Sequence, residues 1–115
     1  LSLVLVMHAK LVKAGEEMEK RALDGIIYRI KSKSEKLLVL KAEMDAGAET
    51  DLYEHEGEEI RILLEGKIEC VVGGEIYTME EGDVLWHPSN IPHKIKNVGN
   101  TKAVYITIGT PSTFI

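Results

Sequence analysis

The 115-residue sequence contains one cysteine, Cys70. A single thiol cannot form an internal disulfide or a cysteine-based zinc site, which suits a reducing cytoplasm. Flanked by "KIE" and "VVGG", it is expected to pack as a small core side chain rather than act as a nucleophile. Long hydrophobic runs are also missing. The apolar opening "LSLVLVM", residues 1–7, is too short to span a bilayer and has no basic flank of the kind a secretory signal carries. It reads as a strand at a sheet edge or in a subunit interface. Net charge is −5, and the densest cationic run, "KIKNVGNTK", suits a solvated turn better than a phosphate-binding patch. Neither a membrane nor a nucleic acid is therefore expected as a partner. Helical patterning is confined to "GEEMEKRAL", enough for one turn of helix or an extended arm. Repeats, low-complexity segments and linker-like stretches are absent, and the length suits one domain.

What the chain does have is a regular series of short runs rich in Ile, Val, Leu and Tyr. They are "GIIYRI", "KLLVLKAEM", "EIRILL", "KIECVV", "EIYTM", "DVLW", "HKIKNV" and "AVYITI". Turn signals separate them, among them "LDG", "DAG", "GG", "EEGD" and "VGN". Short strands at this spacing predict an all-β sandwich or small antiparallel barrel. Within one run, "DLYEHEGEEIRILLEG" (residues 51–66), a tyrosine, a histidine and several carboxylates crowd into a few positions. Such a density of metal-capable groups fits a ligand site, and it also fits a solvated face.

Two segments have the spacing of a known pattern. The first runs from Gly47 through His55 and Glu59 to Gly66; the second, "GDVLWHPSNIPHKIKN", runs from Gly82 through Pro88 and His93 to Asn97. Together they resemble the two motifs of the cupin superfamily, with Tyr53 where the first histidine of the first motif usually stands and Asn90 where the second motif has its second glycine. Asn tolerates positive φ better than most residues, so the turn is expected to survive that exchange. The stretch "HEGEEIRILLEGKI" and the tail "GTPSTF" further resemble the C-terminal cupin domain of helix-turn-helix regulators of the putrescine-responsive type. The residues before the first motif show no helical triplet and no basic face, so DNA binding by this chain is not expected. The resemblance implies a double-stranded β-helix, or jelly-roll, barrel forming one domain over residues 1–115. Residues 1–35 would be N-terminal strands and arm, and residues 36–115 the barrel. It also implies a homodimer paired through N-terminal strands.

By motif position, the resemblance makes His55, Glu59 and His93 ligands of a divalent metal ion, with Mn, Fe, Ni and Zn as candidates. The plainer alternative leaves His55 and Glu59 at a hydrated barrel mouth and His93 as a hydrogen-bonded turn residue. Tyr53, a poor ligand as a neutral phenol, is expected to hydrogen-bond a metal-bound water or to close the mouth. Strand alternation from Glu59 points Arg61 and Leu63 inward. There Arg61 would pair with Glu59 or with a carboxylate or phosphate ligand, unless a bulge turns it to solvent. His87 shares its face with Leu85, at a position where related cupins usually carry a large apolar residue. It is a candidate fourth ligand, a candidate pocket acid or base, or a core histidine bonded to backbone. Two functions follow: a stand-alone cytoplasmic module binding a metal and a small anionic metabolite, or a metal-dependent dioxygenase, isomerase or lyase. In the second, Tyr53 or His87 would handle protons.

Overall fold

The structure, a computed structural model, describes residues 8–112. The apolar segment "LSLVLV", expected to form a first strand and to pair subunits, lies outside the described residues. Nine strands follow one another: β1 Glu19–Leu23, β2 Ile26–Lys33, β3 Leu38–Met44, β4 Glu58–Glu65, β5 Ile68–Val72, β6 Glu75–Met79, β7 Val84–Pro88, β8 His93–Asn97 and β9 Ala103–Thr110. They form a six-stranded sheet in the order β1-β2-β3-β9-β4-β7 and a three-stranded sheet in the order β6-β5-β8. Every pairing is antiparallel. The described residues contain no helix. The fold is an all-β jelly roll, and each apolar run singled out in the sequence lies on one of the strands β2 to β9.

The segment "GEEMEKRAL" forms no turn of helix; its second half is strand β1. The cause is local. Asp24 and Gly25 both take positive φ, 46° and 80°, the backbone that a two-residue hairpin loop needs to match strand twist. That loop sets Leu23 opposite Ile26 and Glu19 opposite Ile30. All five residues of β1 are exposed, as suits a charged edge strand.

The interior is organised in layers by alternation. In β3 every second residue is buried, giving Leu38, Leu40, Ala42 and Met44. In β4 the buried positions are Glu59, Arg61 and Leu63. Register sets Leu63 beside Tyr105, Arg61 between Thr107 and Leu85, and Glu59 between Gly109 and His87. On the smaller sheet, β5 and β8 pair Ile68 with Asn97, Cys70 with Ile95 and Val72 with His93. One end of the barrel is thus apolar, built on Leu63, Ile68, Met79 and Ala103, and the other is polar. Cys70 is fully buried, as expected of a core thiol. At the apolar end the Asn97 side chain, also buried, donates to the carbonyls of Met44, Asp45 and Thr101 and accepts from the Gly99 N–H. It thereby ties the turn after β3 to the turn before β9.

Two glycines are required by contact. A Cβ on Gly66 would meet the Ala103 backbone at 3.0 Å, and one on Gly57 would fall 1.7 Å from the Thr110 carbonyl oxygen, each on a backbone with positive φ. Asn90 makes no such demand. Asp24 is the one non-glycine residue with positive φ among the described residues, so the turn at Asn90 is built without left-handed backbone and the glycine exchange costs nothing there.

Candidate metal centre

The loop between β3 and β4 runs along the free edge of β8. Thr50 N–H donates to the Ile95 carbonyl, while Tyr53 and His93 exchange two backbone hydrogen bonds of 2.8 Å each. This lattice holds residue 53 against residue 93. Just beyond it, the His55 N–H donates to the Ser89 carbonyl, and the Ser89 N–H to the Gly57 carbonyl. Because Gly57 admits the close approach of Thr110, the chain turns directly from His55 into β4, and Glu59 enters the barrel facing the histidines.

The donor atoms of His55, Glu59 and His93 lie within 4.8 Å of one another. His55 Nε2 is 3.1 Å from Glu59 Oε1; His93 Nε2 is 3.6 Å from Glu59 Oε2. Arg61 lies inward, and no bulge turns it to solvent. Its Nη2 donates to Glu59 Oε2 at 3.0 Å, its Nε to Thr107 Oγ1 at 3.3 Å, and its Nη1 weakly to the Cys70 sulfur at 3.8 Å. The guanidinium also lies over the Tyr105 ring, 5.6 Å from its centroid. His87, buried and directly opposite Glu59 on β7, has Nε2 3.1 Å from Glu59 Oε2. That separation has the length of a hydrogen bond, yet the two groups are not aligned to form one, and the buried nitrogen is left without a partner. Tyr53 is half-exposed at the cavity wall; partial burial and the Asp51 charge keep its phenol pKa above the usual value, so it stands there as a neutral group.

Electrostatics favour an ionised carboxylate at the centre. Burial pushes the pKa of Glu59 up, but contact with His87 and the charges of Arg61, His93 and His87 outweigh it and lower the carboxyl to about 2. Burial pulls His93 below the ordinary imidazole range. Burial also raises the Cys70 pKa against the opposing pull of Arg61, keeping it a thiol.

The chemistry of the donors fits a cation. His55 Nδ1 faces the Glu56 carbonyl at 2.8 Å, His87 Nδ1 the Pro88 carbonyl at 2.9 Å and His93 Nδ1 the Ile91 carbonyl at 2.8 Å. A carbonyl only accepts, so each Nδ1 carries the proton and each Nε2 is left to meet Glu59. Backbone carbonyls that fix the tautomer in this way are the usual support of metal-ligating imidazoles. Protons on all three Nε2 atoms would set these rings and Arg61 against one carboxylate in a poorly solvated space. One dication meets the same lone pairs without that repulsion. His55, Glu59 and His93 are the residues that would hold it, and it would supply Lewis acidity to whatever enters the site.

Above this floor opens a cavity of about 430 Å³, lined by Tyr28, Leu40, Thr50, Tyr53 and Tyr105 and by Arg21 of β1. The volume suits a small molecule. Thr107 and Cys70, as partners of Arg61, were not evident from sequence, although Thr107 sits at an inward position of "AVYITI" where an apolar residue would be ordinary.

Comparison with known proteins agrees with the architecture. Residues 40–109, more than half of the chain, match the Cupin domain family. An uncharacterized protein of Archaeoglobus fulgidus is 46% identical over 50 residues, covering 44% of this chain and 47% of that protein. One from Methanocaldococcus jannaschii is 35% identical over 69 residues, covering 59% of this chain and 55% of that protein. The chain thus aligns with about half the length of these curated relatives. Among solved structures, an RmlC-like cupin from Shewanella frigidimarina superposes with a TM-score of 0.79 at 22% identity, covering 91% of this chain and 94% of that one. KdgF from Halomonas sp. gives 0.81 at 20% identity, covering 90% and 94%. A predicted oxalate decarboxylase from Thermotoga maritima gives 0.76 at 23% identity, covering 88% and 98%. At such identities the likeness is one of fold. On the strength of the family match across residues 40–109, the chain belongs to the cupin family.

Proposed function

We propose that this chain is a binding or sensing module that holds a divalent metal ion, one of Mn, Fe, Ni or Zn, together with a small anionic metabolite. The observation that carries the reading is the convergence of His55, Glu59 and His93 donors within 4.8 Å on the floor of the cavity. Glu59 is already matched in charge by Arg61, so a dication would leave the site with uncompensated positive charge. A carboxylate or phosphate ester entering the cavity would offset it, through an open metal position and the Arg61 N–H groups that Glu59, Thr107 and Cys70 leave available. Tyr53 and Tyr28 line the cavity, and their hydroxyls would orient such a ligand. Elemental analysis of protein purified without a metal-affinity tag, followed by calorimetry of organic acids and phosphate esters on the metal-loaded protein, tests the reading. Anions should bind the loaded form, and Arg61→Met should weaken them while sparing the metal. A loaded protein that takes up none of them contradicts the anion assignment.

A second reading makes the chain a metal-dependent enzyme, a dioxygenase, isomerase or lyase acting on a small organic acid or sugar derivative. It is favoured by the sugar phosphate isomerase from Silicibacter pomeroyi that shares the fold with a TM-score of 0.64. Turnover of any anion that binds would select it over the sensing role. The proposal also includes a homodimer in a cytoplasmic setting. Its support in the described residues is the outward face of β4 and β7, where Ile60, Leu64, Val84 and Trp86 are exposed side by side and Trp86 is held in place by a hydrogen bond to Glu58. Light scattering that gives a monomer at all micromolar concentrations speaks against it.

A further inference from the structure

The nitrogen that the site leaves unexplained is His87 Nε2. The side chain is 3% exposed, its Nδ1 is committed to the Pro88 carbonyl, and its Nε2 has no hydrogen-bond partner. A histidine kept only for packing gains nothing from an imidazole nitrogen buried in this way; an apolar side chain of similar volume fills the space without the loss. Strand pairing makes the position deliberate. His87 is the direct cross-strand neighbour of Glu59, and its ring centroid is 4.6 Å from that of His93. The Nε2 atoms of His55, His87 and His93 stand 3.1, 3.1 and 3.6 Å from the oxygens of Glu59, the first approaching Oε1 and the other two Oε2. Each ring has the same arrangement, with Nδ1 on a backbone carbonyl and Nε2 turned towards the carboxylate.

We propose that His87 is a fourth ligand of the metal centre, supplying a third imidazole from β7. The inference rests on the metal reading given above and adds to it a donor outside the mutually close set of His55, Glu59 and His93. His87 does not line the cavity. It would therefore bind the ion from the core side and leave the cavity side open for ligand. Tyr53, paired through its backbone with His93, borders the same site from the cavity side without offering a nitrogen.

The test counts imidazoles. Protein stripped with a chelator and reloaded with Ni²⁺ is studied by X-ray absorption, in which ring multiple scattering reports the number of bound imidazoles, and by calorimetry with Ni²⁺ alone. The wild type should show three imidazoles and His87→Leu two, with Ni²⁺ affinity falling at least tenfold. Adding Tyr53→His to His87→Leu should raise the affinity again, because a nitrogen is returned to the site from the other side. Two imidazoles in the wild type, unchanged in His87→Leu, would overturn the assignment while leaving the centre of His55, Glu59 and His93 intact. No Ni²⁺ uptake by the wild type would overturn both. The wild-type count needs no variant, so the test survives even if His87→Leu fails to fold.

Discussion

Leu63 and Glu59 point into the same barrel from the same strand, with only Arg61 between them on the inward face, yet their surroundings differ in kind. Around Leu63 lie Tyr105, Ile68, Met79 and Ala103, a packed apolar layer whose polar neighbour, Asn97, has its side chain fully bonded to backbone. Around Glu59 lie three imidazoles and a guanidinium, including one buried nitrogen with no partner. The apolar layer is complete by itself, whereas the polar layer leaves a buried nitrogen unpaired and has the donor set that the proposed cation would complete. One period-two alternation produces both. Both ends contribute to stability, the apolar end by packing and the polar end by the Glu59–Arg61 pair, but the proposed metal binding is confined to the polar end, so mutations at the two ends should separate binding from packing.

The largest effect is expected at the polar end. Glu59→Ala leaves Arg61 buried without its carboxylate, and loss of one partner of a buried pair costs about 3–5 kcal/mol. Adding Arg61→Met should restore much of that stability in urea titrations, because no unpaired charge remains, but it should not restore metal binding. Recovery of both would contradict the role given to Glu59. Next comes Leu63→Ala, which opens a cavity in the apolar layer and should cost about 2–5 kcal/mol. Metal affinity should be unchanged at temperatures where the variant stays folded. A parallel loss of affinity would mean that the two ends are coupled.

A smaller effect concerns the phenols lining the cavity. Burial, with the charge Tyr53 acquires once it ionises at high pH adding to it against Arg61, raises the Tyr28 pKa from 10.0 to about 12, and burial raises that of Tyr105 as well. In the unfolded chain these groups ionise first, so their contribution to stability is complete below the ordinary value of 10.0 and is lost as pH rises through about 12. Urea midpoints measured across that window should fall steadily, and Tyr28→Phe should shrink the fall. A flat profile in the wild type would show that the cavity wall is wetter than its burial suggests.

The sequence carried most of this where burial leaves a pattern. Strands β2 to β9 were legible because inward and outward residues alternate, and the inward direction of Arg61, Leu63 and His87 followed from that alternation. β1 was not legible, since all its residues are exposed and no face is marked; its strand state comes from the Asp24–Gly25 loop and the pairing with β2. The spacing of the two motifs brought His55, Glu59 and His93 to notice together. What surrounds Arg61 could not be read in the same way. Thr107 reaches it from a strand 46 positions along the chain, and only the register between β4 and β9 makes them neighbours. The tautomers of the histidines were equally hidden, because they depend on carbonyls whose direction is set by the loops.

His55, Glu59 and His93 are proposed to hold a divalent cation, and the thermal melt of chelator-stripped protein with and without Mn²⁺, Fe²⁺, Ni²⁺ or Zn²⁺ tests this most directly. A cation that binds only the folded chain, present at ~100 times its dissociation constant, adds about 2.7 kcal/mol and lifts Tm by roughly 10 °C. At least one of the four ions should produce such a rise in the wild type, and His55→Ala or His93→Ala should abolish it. A wild-type melt that none of the four ions moves would contradict the account.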